Sequence, residues 1–423
     1  MDRRTFLRGG AGAAAALPLA ACTGNGDRNG DRAAGQPATG SGEPTTRDLW
    51  ANVRNFGARG DGSDDTRAIQ AAIDAIKHGP DGGPQGGVVF FPRGEYACDG
   101  PLVLNQTYGV TLMGEGGPNG GFMRPPASLL TYRGSTAERF IDARETLGTT
   151  LIGLGIRYMS KDFTGVLVDL SAINTLTGTT TTYCVVERCN LGGGGATPPN
   201  SAAILVNLHN ADGTTIRNCH LAWGQSGIVG RRGPDYGFSN AHLVEGCTFD
   251  SLRYAGILNP GQAWVVSNCT FEGTKIGGIE GTAMLYGIRD DTPPAAASQC
   301  HGLVVQGCWF GDVSDVAHDA WIKSEGGQFL GLSVTGNLFG GYGGTPGNPA
   351  DAPVRSFSMK FAGRLEGAMV AGNSSGSYSG LMSVIGGAAV VVQGNTRNPS
   401  PEAVTVQGAA TLTNSLIQAN NPA

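Results

Sequence analysis

The chain has 423 residues, of which 70 are Gly and only 15% are charged, and its formal net charge is −5. A mildly acidic balance excludes nucleic acid as the partner. The length would fill two or three ordinary domains, but short runs of Val, Thr, Ile and Phe between clusters of Gly, Asn, Ser and Pro read as many short strands, and a stack of such strands lengthens without enlarging its core.

In chain order, the first 48 residues stand apart. Arg3-Arg4-Thr5-Phe6-Leu7-Arg8 precedes an Ala-rich stretch from Ala11 to Ala21, too short to span a membrane and patterned as a twin-arginine export signal covering residues 1–21. Leu19-Ala20-Ala21-Cys22 resembles a bacterial lipoprotein processing box. That resemblance implies lipidation of Cys22, with the membrane as a partner through this anchor on the outer face of the cytoplasmic membrane. Ordinary cleavage and secretion is the alternative. Loss of residues 1–21 removes three Arg and one Asp and leaves −7. Residues 22–48, rich in Gly, Asp, Asn, Thr and Pro, read as a disordered tether to a domain at 49–423.

That domain opens with a helix. Asp64 and Asp65 suit its positive end, and Ile69, Ala72, Ile73 and Ile76 fall on one stripe that can lie across the open end of a stack and cover its sheet edges. The cluster of Asp61, Asp64 and Asp65 is read as capping and turn chemistry rather than as a cation site. Three linked segments, Val53-Arg-Asn-Phe-Gly57-Ala-Arg-Gly60-Asp61-Gly-Ser-Asp64-Asp65-Thr66, Gly87-Val-Val-Phe-Phe-Pro92-Arg-Gly94-Glu-Tyr96 and Gly109-Val-Thr-Leu-Met-Gly114-Glu-Gly116, closely resemble the opening of the rhamnogalacturonase, epimerase and pectate-lyase-like β-helix superfamily. The resemblance implies that fold from about residue 50 onward and names no reaction.

From Val186 a short phrase recurs nine times: an aliphatic residue, usually Gly or Asn two positions later, then Cys or Asn. The third elements are Cys189, Cys219, Cys247, Cys269, Cys308, Asn337, Asn373, Asn395 and Asn420, spaced by 22 to 39 residues. The aliphatic and Cys/Asn positions are three apart, whereas one face of a strand repeats every two, so the chain must turn between them. Gly or Asn supplies the turn because both reach positive φ cheaply. Each coil therefore runs strand, corner, strand, with the Cys or Asn turned inward above its counterpart about 4.8 Å away. The predicted fold is all-β, a single-stranded right-handed parallel β-helix with an N-terminal capping α-helix. Five of the nine cysteines occupy the inward position. With folding completed in a reducing compartment before export, buried unpaired thiols are expected in preference to disulfides or metal ligands.

In enzymes of the resembled superfamily the substrate lies along the strand that follows the corner and its Gly-rich loop. Mapped here, those strands are roughly 202–207, 227–231, 256–259, an ambiguous stretch at 276–291, then 320–325, 356–361, 382–385 and 403–406. The densest cluster beside them holds Asp312, Asp315, His318 and Asp319, followed by Trp321, Lys323 and Glu325. It offers proton donors, bases, a cation for sugar carboxylates and a ring face. Trp321-Ile322-Lys323 is similar to the Arg-Ile-Lys element of polygalacturonases, with Trp in place of Arg. A second cluster is Tyr286-Gly287-Ile288-Arg289-Asp290-Asp291. The chain lacks the Asn-Thr-Asp and Gly-His-Gly elements of polygalacturonases. Arg231, Arg232, Asp235, Tyr236, Arg253 and Tyr254 form a third group suited to an acidic glycan, while His220 and His242 read as strand-face residues. The assignment is Asp319 as acid with Asp315 or Asp290 as partner, His318 beside them, and Lys323, Arg289, Trp321, Arg231, Arg253 and Tyr254 on substrate. No metal and no cofactor are expected, with Ca²⁺ added only if the chemistry is that of a lyase. The reading is a polysaccharide-degrading glycoside hydrolase. A polysaccharide lyase or epimerase and a noncatalytic glycan-binding β-helix are the alternatives.

Overall fold

The computed structural model describes residues 49–77, 85–116, 127–172, 181–194, 202–232, 239–272, 286–291, 300–311, 320–326, 328–340, 357–375, 380–397, 404–407, 411–418 and 420–422. The export signal, the tether and Cys22 lie outside them. From residue 48 the chain forms one compact unit.

That unit is a right-handed parallel β-helix. Two 13-stranded sheets and one 11-stranded sheet run along it, every neighbouring pair parallel, and the strands of each coil are distributed one to each sheet. The first sheet carries the aliphatic position of the repeat. Its register aligns Ala51, Val89, Leu112, Leu151, Val186, Ile216, Val244, Val266, Val305, Val334, Val370, Val392 and Ile417 in one column. All but the last are buried.

The corner after this column is the predicted one. Arg188, Asn218, Gly246, Asn268, Gly307, Gly336, Gly372 and Gly394 have φ of 50–64°. Behind the corner, each Cys or Asn donates to the carbonyl of the aliphatic residue one coil earlier. Cys189 reaches Leu151, Cys219 reaches Val186 and Cys247 reaches Ile216 at 3.4–3.5 Å. Asn337, Asn373 and Asn395 make the same bond to Val305, Val334 and Val370 at 2.9–3.1 Å. The Asn members add a second bond, each donating to the Oδ1 of the next Asn at 2.8–2.9 Å. All eight described cysteines are buried and unpaired.

A second corner, two residues before each of the ten strands of the first sheet from Thr150–Ile152 onward, went unread in the sequence. Gly148, Tyr183, Gly213, Ala241, Ala263, Gly302, Gly331, Gly367, Ala389 and Asn414 all have φ of 50–71° there. Only five of these ten are Gly, so composition gives no steady signal, although each non-Gly residue pays roughly 1–2 kcal/mol to adopt the conformation.

The helix Thr66–Lys77 buries Ile69, Ala72, Ile73 and Ile76 and packs on the strands Trp50–Asn52, Gly87–Phe91 and Leu102–Val103 of the first coils. The Asp64 carboxylate accepts from the Thr66 amide, and Asp65 accepts from the amides of Arg59 and Gly60 at 2.8 and 2.9 Å. The first holds the start of the helix and the second ties down the turn before it.

Candidate functional site

The third sheet contains the strands Arg139–Asp142, Val166–Asp169, Ile204–Asn207, Ser226–Val229, Ala255–Leu258, Tyr286–Asp290, Ala320–Ser324, Phe357–Phe361, Gly380–Val384 and Val404–Val406. Its strands from 204 onward are those expected to carry substrate. One register position reads along it as Asp142, Asp169, Asn207, Val229, Leu258, Arg289, Lys323, Lys360, Ser383 and Thr405. Three cations therefore stand in successive coils, one strand spacing of ~4.8 Å apart.

Around them is a network. The Arg289 guanidinium bonds the Asp291 carboxylate through Nε and Glu325 through Nη2, both at 2.5 Å, and Lys323 Nζ lies 3.0 Å from the same Glu325 oxygen. Tyr254 donates its hydroxyl to the other Asp291 oxygen at 2.5 Å, and the Arg289 guanidinium carbon stands 5.9 Å from the Tyr254 ring centre. Asn259 Oδ1 accepts from the Asp291 amide at 2.7 Å, fixing the strand end. Partial burial raises the Glu325 pKa, but the Lys323 hydrogen bond and the Arg289 charge outweigh it and hold the carboxyl below its ordinary value. This assembly fixes a buried guanidinium and a mostly buried ammonium against the more exposed Glu325 carboxylate, the pairing by which such cations hold a carboxylate.

Lys323, Arg289 and Tyr254 thus come together, joined by Asp291 and Glu325, with Arg253 half-buried beside Tyr254. Arg231 and Asp290 do not line this face. Each is about 1% exposed, and they pair with one another at 3.1 Å while Arg231 Nε donates to the Pro260 carbonyl at 3.0 Å. Asp290 follows Arg289 directly and turns the other way, so it is a buried counterion in place of the expected partner of an acid. Trp321 is also buried, its ring 5.8 Å from Phe310. A ring expected against substrate is instead part of the core. Trp321 and Ile322 are both buried, so strict alternation does not describe this strand. In the coil before, Gly287 stands against the Phe310 ring, where a Cβ would meet ring carbon at 2.6 Å. Asp315, His318 and Asp319 lie outside the described residues.

Of the two strand-face histidines, His242 is part of the core. Its Nδ1 accepts from the Thr214 amide, its Nε2 lies 3.0 Å from Ser239 Oγ, and burial pushes its pKa down to about 3. His220 lies 3.8 Å from Asp250 on the second sheet.

Sequence reading missed a second polar region of the same sheet. A cleft of about 630 Å³ lies over the strands at 139–142, 166–169 and 204–207. The mapping of candidate strands began at residue 202, with the repeat, and so passed over Asp142 and Asp169. Among the described residues no three of His, Cys, Asp and Glu gather as a metal cradle. The carboxylates of Asp142, Asp169, Asp291 and Glu325 are each engaged by an arginine.

A family model described as rhamnogalacturonase A/epimerase, pectate lyase-like, matches residues 50–280, more than half of the chain. The chain belongs to that family. It is therefore a β-helix protein of the pectate-lyase-like family. Among individual proteins it is similar to alginate lyase 7 of Azotobacter vinelandii, 45% identical over an alignment of 73 residues, with 15% of this chain and 8% of that one covered. The chain thus spans less than a tenth of that relative's length. In fold it is similar to DFA-IIIase from Arthrobacter chlorophenolicus A6, with a TM-score of 0.56 at 11% identity, covering 87% of this chain and 93% of the other. It is likewise similar to the catalytic unit of a GH87 α-1,3-glucanase from Streptomyces thermodiastaticus, with a TM-score of 0.52 at 14% identity, covering 91% and 70%.

Proposed function

We propose that the chain is an enzyme acting on a uronate-bearing polysaccharide laid along the third sheet, by removal of the proton next to the sugar carboxylate. The observation that carries this reading is the in-register column of Arg289, Lys323 and Lys360. Neutralising a uronate carboxylate makes the neighbouring C–H more acidic, because the negative charge that develops on proton loss is spread towards the cations. Arg289 and Lys323 are assigned that role. Tyr254, whose hydroxyl donates to Asp291, is assigned proton transfer: its oxygen takes the proton from carbon as its own proton passes to the Asp291 carboxylate. Breaking of the C4–O bond after proton loss, with the electron pair leaving on the 4-oxygen, gives a lyase, and delivery of a proton to the same carbon from the opposite face gives an epimerase. The local similarity to an alginate lyase supports this side of the family over hydrolysis. Hydrolysis would draw on Asp319 and Asp315, and a purely binding role on neither.

Tethering at the cell surface through Cys22, after twin-arginine export, belongs to the same proposal. It would place the enzyme where polymeric glycans are met.

The test is incubation with a panel of acidic and neutral polysaccharides, following ultraviolet absorbance of unsaturated uronates, reducing ends and sugar configuration. New absorbance with an acidic polymer, or inversion at C5 without cleavage, is the expected result. Reducing ends without absorbance would replace the reading by hydrolysis, and no product from any polymer would replace it by binding.

A further inference from the structure

Three strand spacings, about 14 Å at ~4.8 Å each, separate Asn207 in the cleft from Arg289 in the cationic column. The chemistry of the cleft differs from that of the column. Arg144 is held in a two-bond clamp by Asp142, Nε to Oδ1 at 2.8 Å and Nη2 to Oδ2 at 2.9 Å. Arg139 donates to Asp169 at 3.1 Å, and Asn207 donates to the other Asp169 oxygen at 2.9 Å. Asp169 and Asn207 are buried, so these groups are fixed before any ligand arrives. His209 accepts from the Arg232 amide through Nδ1 at 3.2 Å, and its Nε2 lies 3.2 Å from the Asn210 side-chain nitrogen.

Charges there balance. Arg139, Arg144 and Arg232 face Glu138, Asp142 and Asp169. A ligand carboxylate entering the cleft would have to displace an existing carboxylate from its guanidinium. Neighbouring hydroxyl groups would not, since each can donate to a carboxylate lone pair and accept from a remaining guanidinium N–H without breaking the pair. The volume lies within the range of small-molecule sites.

We infer that this cleft is a binding site for uncharged sugar residues, distinct in selectivity from the cationic column on the same sheet. The inference goes beyond the proposed reaction, because it concerns binding at a separate place and holds whichever chemistry the column performs. If a single glycan occupies both places, the cleft selects its uncharged part.

Two variants test it, each checked for an unchanged melting temperature. Arg144→Gln removes the clamped fork, and Thr136→Trp fills the mouth from an exposed position without touching the ion pairs. Calorimetric titration uses neutral tetrasaccharides of glucose, mannose and galactose, with a uronate tetrasaccharide alongside. At least one neutral sugar is expected to bind the wild-type protein and to lose about tenfold or more in affinity in both variants, while uronate binding is unchanged. The reverse is expected of Lys323→Ala, which separates the cleft from the column. The inference is overturned if no neutral tetrasaccharide binds, or if both variants bind it as the wild type does. Absence of catalytic turnover would count against the proposed reaction alone.

Discussion

The buried Arg231–Asp290 pair shows how one residue step decides a role. Arg289 and Asp290 are neighbours, yet one joins the surface network and the other neutralises a guanidinium that has lost nearly all contact with water. Removing one partner strands the other as a buried charge. Arg231→Ala is therefore expected to cost about 3–5 kcal/mol in urea unfolding, with recovery in part by Arg231→Ala/Asp290→Ala. A loss below 1 kcal/mol would mean the pair is not buried as described. His242 gives a pH signature. Its folded pKa of about 3 lies below the ordinary 6.5, so the unfolded chain takes up the proton first. The stabilising contribution is complete above pH 6.5 and is lost as pH falls towards 3. Thermal melts across that window should show falling stability that flattens in His242→Gln. An equal slope in the variant would assign it to other groups. Charge alone did not fix exposure on the expected strands, since Arg231, Arg289 and Asp290 are all buried while Lys323 is not fully so. The burial of Trp321 and Asp290 was not legible, since sequence cannot say at which residue a short strand loses its alternation.

At the scale of the element, the corner with its Cys or Asn was readable because the same backbone problem recurs in every coil and is solved with few residue types. The exchange of Cys for Asn at Asn337 marks a change of bond strength at constant geometry: both donate to the carbonyl one coil earlier, and Asn adds a bond to the next Asn. Asn373→Ala leaves the Val334 carbonyl and the Asn337 amide without their partners, at about 1–3 kcal/mol for each buried group. Asn373→Cys keeps a weak donor towards Val334 and is expected to lose about half as much. Chemical denaturation of the two variants checks the order, and a Cys variant no better than Ala would contradict the shared role. The second corner was hidden by its mixed residues, Tyr183, Ala241, Ala263 and Ala389 among them, where tertiary pairing overrides local preference.

For the molecule as a whole, the helix, the three long sheets and the inward column were all present in the sequence as pattern, because a solenoid repeats its physics at every level. Function is less repetitive. It rests on a few side chains that the register brings together from successive coils, such as Tyr254, Arg289 and Lys323, and on a cleft two of whose three strands precede the recurring phrase. The most direct test of the account is the steady-state rate of Lys323→Ala on the acidic polymer that the wild-type enzyme processes. Loss of a cation that stabilises developing charge predicts a fall of about 10²-fold or more in kcat/KM with an unchanged melting temperature. Activity within about twofold of wild type, a difference of less than ~0.5 kcal/mol in the barrier, would contradict the placement of the reaction on this face.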